Sequence, residues 1–364
     1  MNNHIGIVGI GVMGSNIALN FSDNDTKVSV YNKSQEKINQ LISADSSKNI
    51  SGFTDLEEFV KSIAKPRKIL ILVPSGEATN SVVESLFNFI EKKDTLIDGG
   101  NAYYLDSIDL GKRCSEQGIE FIGMGISGGE TGARTGPALM LGYGKEIPED
   151  LISMISRIAA KADGQECIGL YEGFGTGHFI KMLHNGIEYA EMQILAEAYS
   201  ILRAAGFDNA AASEFFNNLR KEKQSSYLIE ITSSILNTQK DGAYLIDKIK
   251  PVANHKGTGK LTVETGLNYG FPLPSIFEAF NARVESNYQK IWPTTTKNIK
   301  IELNPIELQE AIYFSRLSTL TQGILFIEYF SKRENLEIKI EDVMQNWLEG
   351  CIIRSDLLKE IKSI

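Results

Sequence analysis

The sequence predicts an α/β N-terminal domain on a parallel, doubly wound sheet, followed by a large all-α domain, with the division at 1–176 and 177–364. Three observations carry this. Short apolar runs alternate with helical patterns through the first half. A Gly-x-Gly-x-x-Gly turn sits between the first apolar run and the first helix. From about Gly177 the strand signals fade and long helical patterns take over.

The first run, His4–Ile10, leads into Gly9-Ile-Gly11-Val-Met-Gly14, and Ser15–Phe21 then has helical character. Strand, glycine turn and helix is the order that a Rossmann-type dinucleotide fingerprint requires. Gly9 permits the tight turn, Gly11 lets a pyrophosphate approach the backbone, and Gly14 lets helix and strand pack closely. The helix N-terminus then offers unpaired N–H groups to the anion. Val12 and Met13 lie inside the turn and count among the expected cofactor contacts. A Gly-rich turn without a ligand is the plainer alternative.

The second strand, Lys27–Tyr31, ends in Asn32-Lys33-Ser34. An NAD-selective site usually carries Asp or Glu there, to bond the ribose hydroxyls. A cation and a hydroxyl in its place favour a 2′-phosphate, hence NADP, with NAD possible. A solvated turn with Ser34 as a helix N-cap is the alternative. Further strands are expected at Lys68–Val73, Thr95–Asp98 and Glu120–Gly123, with helices at Ala78–Lys92 and Ser107–Gly118. Ligands on such sheets bind beyond the carboxyl ends of the strands. That edge holds Val73 with Pro74-Ser-Gly76, Asp98-Gly-Gly-Asn101, and Gly125-Ile-Ser-Gly-Gly129. Ser127-Gly128-Gly129 exposes successive N–H groups that suit a carboxylate or phosphate. Glycine clusters also serve as plain turns between short strands, and the pattern alone leaves both readings open.

In the second half a helix is expected over Gly177–Gly206, about 45 Å long at 1.5 Å per residue, with Gly206 as its C-cap. It carries Lys181, His184, Asn185 and Glu188 at spacings 0, 3, 4 and 7, one polar face on an otherwise apolar segment. A base, an acid and two hydrogen-bonding groups on one face suit proton transfer. A spacing of seven is too long for a direct Lys181–Glu188 pair. Later helices are expected at Ala210–Leu219, Ser225–Leu236, Leu261–Leu267, Ser275–Gln289, Pro305–Arg333 and Glu341–Glu349. The segment Asn254–Thr262 gathers Lys256, Thr258 and Lys260 with two glycines, a suitable anion contact or a basic helix cap. Arg283, in mid-helix, is placed to bind an anion or to pair with Glu278 or Glu285.

Bulk properties exclude several classes. Net charge is -9, which argues against nucleic-acid and anionic-membrane binding. Apolar residues are 42% and charged residues 23%, ordinary for a globular protein. No apolar run approaches the length of a spanning helix, and the first residues do not read as a signal peptide. Cys114, Cys167 and Cys351 are odd in number and widely spaced, as expected of a reducing cytoplasm. His4, His178, His184 and His255 show no metal-ligand pairing, so no metal is expected.

Taken together, these segments resemble the decarboxylating 6-phosphogluconate dehydrogenases. The resemblance rests on Gly9–Gly14, Asp98–Asn101, Ile126–Glu130 with Gly132-Ala-Arg134 and Gly136-Pro137, His178–Tyr199, Lys256-Gly-Thr-Gly-Lys260 and Gly350–Ser355. It implies a Rossmann domain, then a helical domain that dimerises, so a homodimer is expected. By the same resemblance Lys181 is the general base at the C3 hydroxyl, and Glu188 is the acid that protonates C1 of the enediol left after carbon dioxide departs. A Lys serves as a base near neutral pH only when burial or neighbouring cations lower its pKa. Asn101, Ser127, Gly128, Gly129, His184 and Asn185 match positions around substrate and nicotinamide. Tyr189, Lys256, Thr258 and Arg283 match phosphate and sugar contacts. The implied substrate is a small anionic sugar acid.

Four features depart from the family pattern. The chain ends at Ile364, so a C-terminally shortened member is expected, without the tail that gives an Arg and a His to the substrate. Lys33 stands where Arg is common and cannot grip a phosphate bidentately. Pro74 replaces a Lys, and Met140-Leu-Gly-Tyr143 alters a glycine-rich turn. Two alternatives therefore stand beside the first reading. One is a pathway-specific 3-hydroxy acid dehydrogenase acting on a different, non-phosphorylated acid. The other is a catalytically degenerate cofactor-binding regulator.

Overall fold

The structure, a computed structural model, describes residues 2–221, 224–255, 257–288 and 301–363. It divides into two compact units: Met1–Met182 with Ser331–Cys351, and Leu183–Phe330 with Ile352–Ile364.

The first unit alternates strands and helices: β1 (Ile5–Val8), α1 (Val12–Asp23), β2 (Val28–Tyr31), α2 (Gln35–Ala44), β3 (Ile50–Phe53), α3 (Leu56–Lys61), β4 (Lys68–Ile71), α4 (Glu77–Leu86), β5 (Thr95–Asp98), α5 (Tyr104–Glu116), β6 (Glu120–Ser127), α6 (Gly129–Thr135), β7 (Ala138–Tyr143) and α7 (Glu149–Ile158). A small hairpin of β8 (Lys161–Ala162) and β9 (Gln165–Glu166) precedes β10 (Ile168–Glu172). Among the described residues the main sheet has the order β10-β7-β6-β5-β4-β1-β2-β3. Strands β1, β4 and β5 are buried along their whole length, which is why they read as continuous apolar runs. Ile5 and Ile7 pack on one face of the sheet and Val8 on the other, each with helices over it.

The strand order reverses between β1 and β4, which pair in parallel. The loops after these two strands therefore flank the switch point where doubly wound sheets bind ligands. One part of the sheet departs from the expected parallel pattern. β7 runs antiparallel to β6, from Ile122↔Tyr143 to Ser127↔Ala138, and β10 then pairs parallel to β7. The glycine-rich stretch after Gly123 thus forms two real strands, with α6 between them.

The segment Ser331–Cys351 joins this unit through α14 (Ile340–Trp347). α8 (Thr176–Ala204) begins in the first unit and continues in the second. The second unit then holds α9 (Asn209–Lys221), α10 (Tyr227–Asn237), a short hairpin of β11 (Gln239–Lys240) and β12 (Ala243–Tyr244), α11 (Thr258–Tyr269), α12 (Pro274–Ser286) and most of α13 (Pro305–Arg333). α14 (Ile340–Trp347) returns to the sheet edge. There the Asn346 amide donates to the Leu139 carbonyl at 2.7 Å and the Cys167 carbonyl at 2.8 Å. α15 (Asp356–Lys362) belongs to the second unit, where Ser355 caps it and the Asp356 N–H donates to Ser225 O at 2.8 Å.

Close glycine contacts fix α8 within each unit. In the second, a Cβ at Gly186 would lie 2.7 Å from Thr262 of α11, and one at Gly323 of α13 would lie 2.5 Å from Ile187. Helices this close have no room for a larger residue. α8 ends as the sequence reading has it, with Gly206 in left-handed backbone at φ +91°.

Candidate active site

In the first unit, the fingerprint glycines do three different jobs. Gly9 has φ +93°, and a Cβ there would lie 2.6 Å from the Leu72 carbonyl oxygen. A Cβ at Gly14 would collide with the Gly9 carbonyl, so this glycine sets how close α1 lies to the turn. At Gly11 a Cβ would meet nothing within 4 Å. Space is therefore left open beside that backbone, at the start of α1, where a pyrophosphate needs it. The donor set and the open cradle fit a dinucleotide. Val12 is 61% exposed and so faces this space uncovered.

Beside it, β2 delivers Asn32, exposed Lys33 and Ser34. Ser34 does cap α2, accepting from the Lys37 N–H at 3.4 Å, and the Asn32 amide donates to Ser34 O at 3.4 Å. Val73 and Pro74 follow β4, and the next loop glycine, Gly76, has φ +89° with open space around it. Asp98, buried at the end of β5, accepts from the Gly100 N–H at 2.9 Å and so shapes the turn that presents Asn101.

β6 runs on to Ser127, which is buried, and the chain turns through Gly128 (φ +121°) and Gly129 (φ +62°). Gly128 needs its lack of a side chain, because a Cβ would lie 2.6 Å from the Gly350 carbonyl oxygen. Gly350 also accepts from the Ala138 N–H at 3.0 Å. Sequence reasoning gave Gly350 no part in the site, and only its place in the family motif marked it.

Lys181 lies on the second turn of α8 and is 7% exposed. Its Cβ packs directly on Gly125 of β6, two residues before Ser127. One turn earlier on the same helix, His178 is 1% exposed, with Nδ1 2.6 Å from the Ser107 hydroxyl of α5. Burial pushes the His178 imidazole below its usual range, and the Asp98 carboxylate and the carbonyls of Gly100, Asp98 and Met124 oppose this only in part. Sequence reasoning did not place His178 in the site, because on an apolar helix a lone His reads as core.

In the second unit, His184, Asn185 and Glu188 follow on α8. His184 is fully buried, with Nδ1 3.1 Å from Asn185 Oδ1 and 3.9 Å from Glu188 Oε2. The Glu188 side chain keeps 21% exposure. The same unit brings Tyr189, Thr258 and Arg283 together. The Arg283 guanidinium stacks 3.7 Å over the Tyr189 ring and donates to the Asn254 carbonyl at 3.0 Å. It forms no ion pair with Glu278 or Glu285 among the described residues. Thr258 opens α11 and is buried, and a Cβ on the adjoining Gly259 would collide with the Tyr189 ring. A stacked guanidinium with donors still free in its plane, beside a helix N-terminus, suits an anionic group. Lys256 lies outside the described residues.

Among the described residues, no three His, Cys, Asp or Glu side chains come together in a way that could hold a metal ion. Nor is any helix long and apolar enough to cross a membrane.

Two family models match the chain: the NAD binding domain of 6-phosphogluconate dehydrogenase over residues 4–171, and the 6-phosphogluconate dehydrogenase C-terminal domain over 177–364. A decarboxylating 6-phosphogluconate dehydrogenase of Staphylococcus epidermidis is 39% identical, across 100% of this chain and 80% of its own length. The Lactococcus lactis protein of the same name is 37% identical, across 98% and 79%. A solved structure of Plasmodium falciparum 6-phosphogluconate dehydrogenase, described as apo and in complex with NADP+ and with 6-phosphogluconate, superimposes with a TM-score of 0.94 at 33% identity, covering 99% of this chain and 80% of that one. The glycine cradle, the Asp98–Asn101 turn, Lys181 on Gly125 and the Tyr189–Arg283 stack thus stand in a chain that belongs to the 6-phosphogluconate dehydrogenase family.

Proposed function

We propose that this protein is a decarboxylating 6-phosphogluconate dehydrogenase, converting 6-phosphogluconate and NADP+ to a ketopentose phosphate, carbon dioxide and NADPH. The observation that carries this reading is the position of Lys181. It is buried against Gly125, on the strand that continues into Ser127-Gly128-Gly129, at the carboxyl edge of the dinucleotide-binding sheet.

Held at the glycine cradle, NADP would supply the hydride acceptor for C3. Lys181 takes the proton from the C3 hydroxyl as that hydride leaves. The resulting β-keto acid loses C1 as carbon dioxide, and the electron pair left on C2 forms an enediolate with the C3 oxygen. Glu188, whose carboxyl group reaches solvent, delivers a proton to C2, which becomes C1 of the ketopentose phosphate, and this proton balances the one taken up by Lys181. Asn101, Ser127, Gly128, Gly129, His184 and Asn185 hold the sugar acid and the nicotinamide. Tyr189, Lys256, Thr258 and Arg283 take the phosphate end. Gly9, Gly11, Val12, Met13, Gly14 and Val73 hold the dinucleotide, and Asn32, Lys33 and Ser34 face its 2′-phosphate. In this scheme residues 1–176 form the dinucleotide-binding domain, which also lends Asn101 and Ser127–Gly129 to the substrate, and 177–364 the helical substrate and dimerisation domain.

We also infer a homodimer in the cytoplasm. Phe314 and Leu325, on one side of α13, are 70% and 49% exposed, which suits a second copy covering them. The three cysteines are free and buried, which suits a reducing compartment. The test is an initial-rate comparison of 6-phosphogluconate with gluconate, using NADP and NAD in parallel. NADP-linked turnover of 6-phosphogluconate with carbon dioxide release is expected. Turnover confined to a non-phosphorylated acid would sink the named substrate.

A further inference from the structure

The start of α8 is docked on the sheet by glycines on both sides. A Cβ at Gly177 would collide with the carbonyl oxygens of Met140 and Gly123. One at Gly123 would lie 2.5 Å from Phe174 O and 3.0 Å from His178 Nδ1, and one at Gly125 would collide with Lys181 Cβ. Backbone therefore meets backbone here, and the side chains that project from this turn have little freedom.

His178 is the polar side chain at the centre of that contact. Its Nδ1 bonds the Ser107 hydroxyl of α5 at 2.6 Å, and that hydroxyl also reaches the Tyr103 carbonyl at 3.3 Å. Its Nε2 is buried without a hydrogen-bond partner among the described residues, and the Asp98 carboxylate and the backbone of Asp98, Gly100 and Met124 favour the charged ring without outweighing burial. One imidazole thus bonds α5 and lies beside Gly123 of β6, one helical turn from Lys181. Packing alone asks only for an apolar group of this size. A buried polar ring is retained at a cost unless its bonds matter.

We propose that His178 is a positioning residue: through its bond to Ser107 it holds the Lys181 turn of α8 against α5, the helix that begins just after the Asp98–Asn101 turn, and so keeps the two in register for hydride transfer. This rests on the reading of Lys181 as the general base. A displacement of about 1 Å at a reacting group costs about 10²-fold in rate, and His178 ties together the two segments whose separation matters.

The experiment compares His178→Leu, His178→Asn and Ser107→Ala in the full-length enzyme, with Lys181→Met as a control. An Asn amide can turn to offer either N–H or C=O to Ser107, so His178→Asn keeps the bond whichever tautomer the imidazole has. His178→Leu is expected to lower kcat by about 10²-fold, with the KM for 6-phosphogluconate and the Kd for NADP within about twofold. It should also raise the primary isotope effect with substrate deuterated at C3, since hydride transfer becomes the slow step. His178→Asn should recover much of the rate. A fall in kcat matched by the folded fraction, with an unchanged isotope effect, overturns the proposal. Should His178→Leu fail to fold, Ser107→Ala decides, because it removes only a hydroxyl: native kcat and isotope effect there overturn the proposal. If the His178 and Ser107 variants behave as native while Lys181→Met is inactive, the positioning role fails and the base reading survives. Native turnover in Lys181→Met overturns the base reading and this proposal with it.

Discussion

Lys181 and Gly125 pack so closely that one added carbon on Gly125 would overlap the Lys181 Cβ. The strand glycine thereby sets how close the Lys181 turn of α8 lies to β6, two residues before Ser127. Gly125→Ala is expected to displace the α8 turn and lower kcat by about 10²-fold, while cofactor binding stays near native. Steady-state rates alongside a fluorescence titration with NADP check this. A native kcat would mean that the turn has room to move.

The fingerprint glycines separate binding from folding. Gly11 has φ −72° with open space around it, so Gly11→Ala should leave stability within about 0.5 kcal/mol. The same methyl group intrudes where the pyrophosphate approaches, so the Kd for NADP should rise by about tenfold or more, about 1.4 kcal/mol. Gly14→Ala instead collides with the Gly9 carbonyl and should cost about 1–3 kcal/mol of stability. Thermal melts with and without NADP distinguish the two. Equal destabilisation by both substitutions would remove the distinction.

These contrasts show which parts of the molecule were legible in the sequence. The glycine turn and the polar face of α8 depend on residues within a few positions of one another, so spacing alone exposes them. β3 was passed over because only Ile50 of its four residues is buried, which leaves no apolar run to read. The antiparallel β7 was hidden among glycines whose use is to let α8 approach, a contact between distant segments. The return of α14 is further still from local pattern. Asn346 satisfies Leu139 and Cys167 carbonyls across 207 and 179 residues, and nothing near Asn346 signals that. Arg283 offered two charge partners on its own helix and stacks instead on Tyr189 of another.

Stability should carry the mark of His178. Burial holds its folded-state pKa below the usual imidazole range. Below about pH 6.5 the unfolded chain therefore takes up a proton that the native state refuses. The sign follows: this contribution is complete above that pH and is lost as pH falls towards the folded-state value. His178→Asn should flatten this part of the pH–stability curve relative to wild type. Chemical denaturation at pH 7.5, 6.5 and 5.5, wild type against variant, measures it. Parallel curves would show that His178 titrates alike in both states.

Arg316 and Glu191 form a second, costlier buried pair, on α13 and α8. Both side chains are fully buried, with Arg316 Nε 3.4 Å from Glu191 Oε2. Neither Glu191 oxygen accepts a well-formed hydrogen bond, while Arg316 Nη1 donates to Gln224 O at 3.2 Å. Desolvation on this scale rivals the Coulombic gain. Burial pushes the Glu191 carboxyl above its usual range, and Arg316 offsets this only in part. An acid raised in this way holds its proton to higher pH when folded, so its contribution falls as pH rises from the unfolded-state value through the folded one. Wherever it is ionised in the folded protein, the Glu191 carboxylate is therefore a cost. Glu191→Gln leaves the guanidinium buried and unpaired, and Arg316→Met leaves the carboxylate so. Each should lose about 3–5 kcal/mol at pH 7. Only Arg316→Met should recover relative to wild type at pH 5.5, because Glu191 can then take up a proton and an Arg cannot shed one. The double variant Glu191→Leu with Arg316→Met should lie well above either single one, near wild type or about 1–4 kcal/mol more stable. Denaturant unfolding of all four proteins at both pH values tests this, and single variants within about 1 kcal/mol of wild type would show that water already reaches the pair.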